Sequence, residues 1–439
     1  MFKYKKLIPY ASLLFLIILI IWPVFILGQS LPFDRIFTPG PVLFSTLGKL
    51  AGLVGLAAFS FSLFLASRFV WLDKLFYGLP RVLNIHRWLG VISFVLIIFH
   101  PLFLAARLLP LSGQAAFSIF LYWTDTAYLF GYLAFLIFMF LVLMTFFWRM
   151  RYERLKSLHS LMAIPLMIGG VHGLLIDSDI KNIPELAMYY IVLISMSVLA
   201  YLARVFLISY GLKARSFVVR SVEQANDLVV KVVLAPFKKP LTNTKAGQFI
   251  FVSFPQIKKG EEHPFSITDI QADGTITIMA KQLGDYTKRM QSLSKGFKAM
   301  VDGPYGSFGN SVDKNVHQVW IAGGIGITPF LSMAKSFKNN PDSQTKVDLF
   351  YIVSSTADLA GVKDLQTIEA VYPNFKLTTY ISDQAGRFDI EKLYSFVSDF
   401  SNCNFYICGP TGLMEYLVGA LKKERVAKSR INIEAFKLL

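Results

Sequence analysis

The sequence predicts a multi-domain membrane protein. An all-α bundle of six transmembrane helices comes first, then a small antiparallel β-barrel, then an α/β domain with a parallel sheet. Three observations predict it. Long apolar runs crowd the first 210 residues, charge is distributed unevenly along the chain, and the hydrophobic period shortens after Gly211. The 439 residues are 54% hydrophobic and carry 44 Lys and Arg against 28 Asp and Glu, a net charge of +16. Residues 1–210 hold 16 basic and 7 acidic side chains, and residues 211–439 hold 28 and 21. Such apolar content excludes a disordered chain. With Cys403 and Cys408 the only cysteines, a disulfide scaffold is excluded too. The length suits about three domains, expected at 1–210, 211–310 and 311–439.

A helix needs about 20 mostly apolar residues to cross a bilayer. Six segments qualify: 7–28, 43–67, 86–106, 127–148, 158–176 and 186–208. The first follows Lys3, Lys5 and Lys6 as a signal peptide would, but its apolar run is too long and no small-x-small cleavage site follows. It is expected to be a retained anchor. Lys and Arg in short loops set orientation. One side carries Lys3, Lys5, Lys6, Arg68, Lys74, Arg81, Arg87, Arg149, Arg151, Arg154, Lys156, Lys213 and Arg215; the other has Arg35, Arg107 and Lys181. Both the N-terminus and residues 211–439 are therefore expected in the cytoplasm. The positive charge reflects this topology and attraction to anionic lipid, not nucleic acid. Short loops without glycan-rich segments point to a bacterial plasma membrane, and no obligate protein partner is evident.

Four of the six histidines fall in apolar spans: His86 and His100 in the third, His159 and His172 in the fifth. Ionisable groups inside a bilayer are rare and usually functional. The two pairs, 14 and 13 residues apart, lie on odd-numbered helices that run in the same direction, and each pair spans about 20 Å. His86 should meet His159 near the cytoplasmic side, and His100 should meet His172 near the other. Two imidazoles across a gap suit the axial positions of a b-type haem iron without Cys or Met. Two such haems in series make an electron path through the membrane. On an ideal helix 13 residues leave the second ring about 140° off the face of the first. Pro165, Gly169 and Gly170 are expected to kink or rephase the fifth helix. Arg107, seven positions past His100, either pairs with a haem propionate or snorkels to the interface.

After Tyr210 and Gly211, the runs 216–220, 228–233, 248–252 and 275–279 are short and β-rich, separated by Gly, Pro and Asn turns. They predict an antiparallel barrel over 214–304. From 316 the pattern turns to apolar strand, glycine turn and helix, with strand candidates at 316–322, 347–353, 375–381 and 404–408. Gly323, Gly324 and Gly326 follow the first of these, where bare backbone approaches a pyrophosphate at the start of a helix.

The ordered series His263-Pro264-Phe265-Ser266-Ile267, Leu283-Gly284-Asp285-Tyr286-Thr287, Gly303-Pro304-Tyr305-Gly306, Gly323 to Pro329, Cys408-Gly409-Pro410 and Glu434-Ala435-Phe436, behind six spans with two His pairs, resembles the ferric reductase / NADPH oxidase superfamily. The soluble half also resembles ferredoxin–NADP reductases. The resemblance implies that the barrel holds FAD and that the last domain is a Rossmann-like NAD(P) module. His263, Pro264, Phe265 and Ser266 would hold the flavin, with Ser266 near the reactive ring nitrogen. Gly284, Tyr286 and Thr287 would receive the FAD pyrophosphate. Gly323, Gly324, Gly326 and Thr328 would bind the pyridine dinucleotide. Cys408, Gly409 and Pro410 would lie beside the nicotinamide, and Phe436 would cover the flavin or serve as an ordinary core aromatic. Ser266, Cys408 and Phe436 would thus stand nearest the hydride transfer, and His86, His100, His159 and His172 would be the haem ligands.

The implied activity is an NAD(P)H-dependent transmembrane oxidoreductase. It would pass electrons from cytoplasmic NAD(P)H through FAD and two b-type haems to an extracytoplasmic acceptor. A ferric complex is the first expectation and O2, reduced to superoxide, the alternative. Exchange with membrane quinone is a third reading, and a channel or transporter with a nucleotide-sensing domain is the remote one. Ser354, Ser355 and Arg387 would suit the 2′-phosphate of NADPH, whereas Asp358 would suit the free ribose of NADH. No EF-hand loop is present in the sequence.

Overall fold

The computed structural model describes residues 8–30, 38–148, 152–177, 179–209, 214–311, 316–339, 345–397 and 399–434. The chain divides into two compact units, Met1–Phe206 and Leu207–Leu439. Phe436, Arg35, Lys213 and the basic residues 3–6, 149 and 151 lie outside the described residues.

Among the described residues, the first unit holds helices and turns and no strand. Among the described residues, six helices are long and apolar enough to cross a membrane. They are built from α1 (Ile8–Ser30), α2 (Pro41–Leu65), α3 (Leu79–Ala106), α4 (Thr126–Phe147), α5 (Tyr152–His159) with α6 (Ala163–Leu175), and α7 (Pro184–Ser209). Their starts are legible in local chemistry. Gly40 and Gly78 take positive φ before the prolines that open α2 and α3. The Asp125 carboxylate caps α4 by accepting from the amides of Ala127 and Tyr128. Phe59, Leu63, Phe138, Leu166 and Val198 form a small buried core, with the Phe59 and Phe138 rings 4.8 Å apart. Phe15, Trp22, Trp88, Phe99, Phe140 and Leu199 stay exposed, a surface that lipid can solvate and water cannot. Close approach comes from small residues on α2: a Cβ at Gly55 would meet Leu96 of α3 at 3.2 Å.

The fifth span differs from the expectation in where it rephases. Pro165 sits in the first turn of α6, where its missing N–H costs nothing. The break lies one turn earlier, in the 3-10 segment Ser160–Met162. Three residues at 3.0 per turn in place of 3.6 rotate the helix by about 60°, part of the 140° mismatch. Gly170 serves packing instead, since a Cβ there would run into Ile194 of α7 at 2.7 Å.

The second unit begins with β1 (Arg215–Asn226), β2 (Val229–Pro236), β3 (Phe249–Ser253), β4 (His263–Ile270), β5 (Ile276–Lys281) and β6 (Lys298–Tyr305). They close into an antiparallel barrel in the order β1-β2-β5-β4-β3-β6. The alternate residues Phe217, Val230, Val232, Ile250, Ile278 and Val301 fill it. The short helix α8 (Asp285–Arg289) follows β5. A parallel sheet comes next, from β7 (His317–Gly323), β8 (Val347–Val353), β9 (Phe375–Ile381), β10 (Cys403–Cys408) and β11 (Ile431–Glu434), in the order β11-β10-β7-β8-β9. The fifth strand is additional to those expected. Strands run outward from β7 through β9, and the chain then returns to β10 on its other flank. The switch point where α/β sheets bind ligands therefore lies between the carboxyl ends of β7 and β10. Helix α9 (Thr328–Lys335) packs against β4. The barrel and the sheet are joined by the Lys281–Asp358 ion pair at 3.0 Å and by the Gly247 amide donating to Ser332 Oγ at 2.9 Å.

Candidate functional site

The four membrane histidines are held in one way. The Nδ1–H of His100 donates to the Gly48 carbonyl at 2.7 Å, that of His172 to the Ala127 carbonyl at 2.7 Å, and that of His86 to the Ser62 carbonyl at 2.9 Å. A carbonyl can only accept, so each of these rings carries its proton on Nδ1 and leaves Nε2 as a lone-pair donor. His159 Nδ1 stands 3.3 Å from Thr145 Oγ1, whose own proton goes to the Leu141 carbonyl at 2.7 Å. Thr145 thus accepts from His159 as the carbonyls do from the others. Such partners fix the tautomer and the ring orientation and raise the basicity of a metal ligand.

Across the bundle, the His86 and His159 ring planes stand at 88° to each other, with centroids 6.0 Å apart. Metal–imidazole bonds of about 2.0–2.1 Å, with each ring centre roughly 1 Å behind its nitrogen, place two axial rings about 6 Å apart. The separation fits one iron between them. Among the described residues no group of three or more His, Cys, Asp or Glu could hold a metal. Two neutral imidazoles are a donor set that suits an iron whose other positions a porphyrin fills. Near the end of α3, the buried Arg107 Nε has no acceptor and its Nη1 reaches Ser45 only at 3.5 Å. That orphaned donor matches an anion such as a propionate. Lys49 is committed to Asp179 at 2.9 Å.

Sequence reasoning missed the partners on α2 and α4. Gly48, Ser62, Ala127 and Thr145 offer acceptors, and Gly52 and Gly131 lie under the His100 and His172 rings. The available signal was glycine inside an apolar span, a mark of close backbone approach.

In the barrel, β4 carries the His263 motif. Phe265 and Ser266 are buried, and His263 and Pro264 are half-buried. Residue by residue, Ser266 pairs with Phe249 of β3 and Pro264 with Phe251. The His263 Nε2 lies 2.6 Å from Glu261 Oε1, and its ring centroid is 4.2 Å from that of Tyr286. Strand β4 and α8 are thereby joined at one edge of the barrel. The hydroxyls of Tyr286 and Thr287 are already employed. Tyr286 accepts from the Phe254 amide at 2.9 Å, and burial pushes its phenol up to about 12. Thr287 Oγ1 takes the amides of Leu283 and Gly284, both at 3.1 Å. These side chains shape the turn rather than pointing free hydroxyls outward.

At the switch point the glycines have steric reasons. Residues 322 and 408 are register partners. A Cβ at Gly326 would collide with the Cys408 carbonyl, one at Gly323 would meet Pro410 at 2.7 Å, and one at Gly409 would meet the Gly323 Cα at 2.9 Å. Two loops therefore lie backbone to backbone. Gly324, at φ +53°, faces open space, a bare surface on which a dinucleotide can rest. Thr328 is buried, and its hydroxyl donates to the Ile325 carbonyl at 3.0 Å. Cys408 is fully buried, and burial, with Glu434 beside it, holds its thiol protonated well above the usual range. Both cysteines are free, at the two ends of β10. After β8, Asp358 is tied to the Ser355 amide and hydroxyl at 3.3 Å and to Lys281. The Arg387 guanidinium lies 5.2 Å from the Tyr416 ring.

With this geometry in view, three family profiles match the chain in the order of its modules. "Ferric reductase like transmembrane component" covers residues 51–170, "FAD-binding domain" 215–309 and "Oxidoreductase NAD-binding domain" 320–418. The chain thus joins a ferric-reductase-like membrane component to an FAD-binding and an NAD-binding domain. Its modules are those of an oxidoreductase, an FAD-binding and an NAD-binding domain behind six described helices apolar enough to cross a membrane.

Among curated relatives, it is 33% identical over 138 residues to the putative respiratory burst oxidase homolog protein G of Arabidopsis thaliana, covering 27% of this chain and 16% of that protein. It is 27% identical over 182 residues to NADH-cytochrome b5 reductase 2 of Phaeosphaeria nodorum, covering 38% and 54%. The chain spans about half the length of the curated relatives it matches first. Among solved structures, a flavohemoglobin from Malassezia yamatoensis aligns with a TM-score of 0.49 at 19% identity over 70% of this chain and 85% of that one.

Proposed function

We propose that this ferric-reductase-superfamily protein carries electrons from cytoplasmic NAD(P)H, through FAD and two b-type haems, to an acceptor on the opposite side of the membrane. The acceptor is a ferric complex. The observation that carries the reading is the shared chemistry of the four histidines: protons fixed on Nδ1 by acceptors on α2 and α4, with one pair spaced as two axial ligands are.

When bound, FAD supplies the conversion between a hydride's electron pair and single electrons, and haem iron supplies one-electron carriage. The chain's own work is to bind and orient. His86 with His159, and His100 with His172, would hold one haem each, the acceptors behind them raising ligand basicity. Arg107 would offer its unsatisfied Nε to a propionate. His263, Pro264, Phe265 and Ser266 would hold the flavin along β4, and the turn built by Gly284, Tyr286 and Thr287 would lie at its phosphates. Gly323, Gly324, Gly326 and Thr328 would seat the dinucleotide, with Cys408 as a neutral thiol beside the nicotinamide together with Gly409 and Pro410. Asp358 is already engaged, which supports NADPH over NADH. Phe436 keeps its proposed place over the flavin. The Lys and Arg bias of the loops supports cytoplasmic termini, short loops without glycan-rich segments support a bacterial plasma membrane, and the domains are three, at 1–210, 211–310 and 311–439.

Relatives named respiratory burst oxidase and superoxide-generating NADPH oxidase support a second reading, in which O2 is reduced to superoxide. Purified protein supplied with NADPH separates the two: ferrous-chelate formation at undiminished rate in the absence of O2 supports the ferric reading, and superoxide formation unaffected by ferric chelate replaces it. A preparation with no Soret band after reconstitution with haemin would end both.

A further inference from the structure

The rings of His100 and His172 rest on glycines at equivalent places of two different helices. A Cβ at Gly52 of α2 would stand 2.7 Å from His100 Nδ1 and 2.9 Å from its Cε1; one at Gly131 of α4 would stand 2.8 and 2.9 Å from the same atoms of His172. In both cases the carbonyl that takes the Nδ1–H belongs to the residue four positions earlier, Gly48 and Ala127. The coincidence has a geometric cause. In an α-helix the carbonyl of residue i−4 is directed at the amide of residue i. It has a second lone pair to offer a side chain, and the His100 and His172 rings reach it by lying across residue i. A Cβ at Gly52 or Gly131 would occupy that place. The rings cannot slide away from a methyl group without lengthening a 2.7 Å bond, so the contact is not one that a flexible side-chain end could relieve. Gly169, which lies between His159 and His172, makes the contrast: a Cβ there would meet only Ala134 and Leu56, at 3.7 and 3.9 Å.

We propose that Gly52 and Gly131 are positioning residues for the His100/His172 pair. Bare backbone at these two points allows each imidazole to share a helix carbonyl, and that bond fixes the tautomer that presents Nε2 to iron. The inference rests on the haem reading above and adds two residues that coordinate nothing themselves. The other pair is backed differently: His86 and His159 lie 3.0 and 3.3 Å from the hydroxyls of Ser62 and Thr145, and His86 also donates to the Ser62 carbonyl at 2.9 Å.

The test uses full-length purified protein: wild type, Gly52→Ala, Gly131→Ala and Gly169→Ala. Haem and FAD per chain are measured, with the low-temperature EPR spectrum of the ferric haems as a readout of ring orientation. Gly52→Ala and Gly131→Ala are expected to drop from two haems to about one per chain, or to shift one of two low-spin signals, with FAD content unchanged. Gly169→Ala should match wild type. Two haems with both signals unmoved in Gly52→Ala and Gly131→Ala would overturn the inference and leave the haem reading standing. A haem-free wild type would overturn the reading and the inference together. If Gly52→Ala accumulates poorly, the cycle with His100→Leu decides the matter. Once the ring is gone, adding Gly52→Ala should cause no further loss of yield or haem, and an equal further loss would refute the positioning role.

Discussion

His86 and His159 come from helices far apart in sequence, yet their ring centroids stand 6.0 Å apart with planes at 88°, each backed by an acceptor on a neighbouring helix. Neither ring can serve the proposed iron alone. His86→Leu and His159→Leu should each remove the same haem, about half of the total, and the double variant should lose no more than either single one. Haem per polypeptide measures this, with NAD(P)H-driven dye reduction as the check that the flavin module is intact. Additive loss from the two substitutions would mean the rings serve different groups.

His100→Leu removes a ligand from the pair proposed to lie nearer the acceptor. Reduction of the flavin by NAD(P)H, followed by bleaching of flavin absorbance, should continue at the wild-type rate. Delivery to ferric chelate or O2 should fall by more than about 100-fold, beyond the roughly 10–100-fold range of outer-shell losses. Parallel loss of both activities would show that the two modules do not separate as described.

Gly326→Ala places a methyl group against the Cys408 carbonyl, and the two loops at the switch point must part to admit it. The KM for NAD(P)H should rise at least about tenfold, which corresponds to roughly 1.4 kcal/mol of lost binding, while FAD content stays at the wild-type level. A variant with unaltered KM would place the dinucleotide elsewhere.

The Lys281–Asp358 pair ties the barrel to the sheet. The side-chain hydrogen bond from Lys281 is the main cause holding the Asp358 carboxyl below its ordinary value. A carboxyl lowered in the folded state contributes stability above its unfolded pKa, about 3.9, and that contribution is lost as pH falls through the lower folded value. Lys281→Met should therefore cost about 1 kcal/mol at pH 7, and its deficit relative to wild type should begin to shrink near about pH 4 and vanish only below the lowered folded value. Thermal melts of the holoprotein from pH 7 down to about pH 2 measure the convergence; a constant deficit would assign the loss to packing of the lysine stem.

The fold was legible wherever one period dominated. Apolar runs marked the spans, and the run 347–353 coincides with β8. Motif segments were harder. Strand β4 contains Pro264 and reads as a site more than a strand, and β11 is four residues long beside a motif. The histidine pairs could be read from spacing because ionisable groups stand out in hydrocarbon. Their supports could not, because Gly48 and Ala127 act through main-chain carbonyls that every residue has. Likewise, that Thr287 is spent on its own turn depends on local geometry invisible in the string Gly-Asp-Tyr-Thr.

Helix α2 supplies no ligand, yet both histidines of α3 hang from it: 14 residues separate Ser62 from Gly48, and 14 separate His86 from His100. The antiparallel hairpin thus keeps one phase from end to end, like two matched gear racks. One residue inserted into α2 between these acceptors would swing one of them about 100° around the axis and leave the other in place. Length variation in this stretch is consequently forbidden even though nothing in it touches the chemistry, and the gap between the two ring layers is dictated by a helix that only looks like scaffolding.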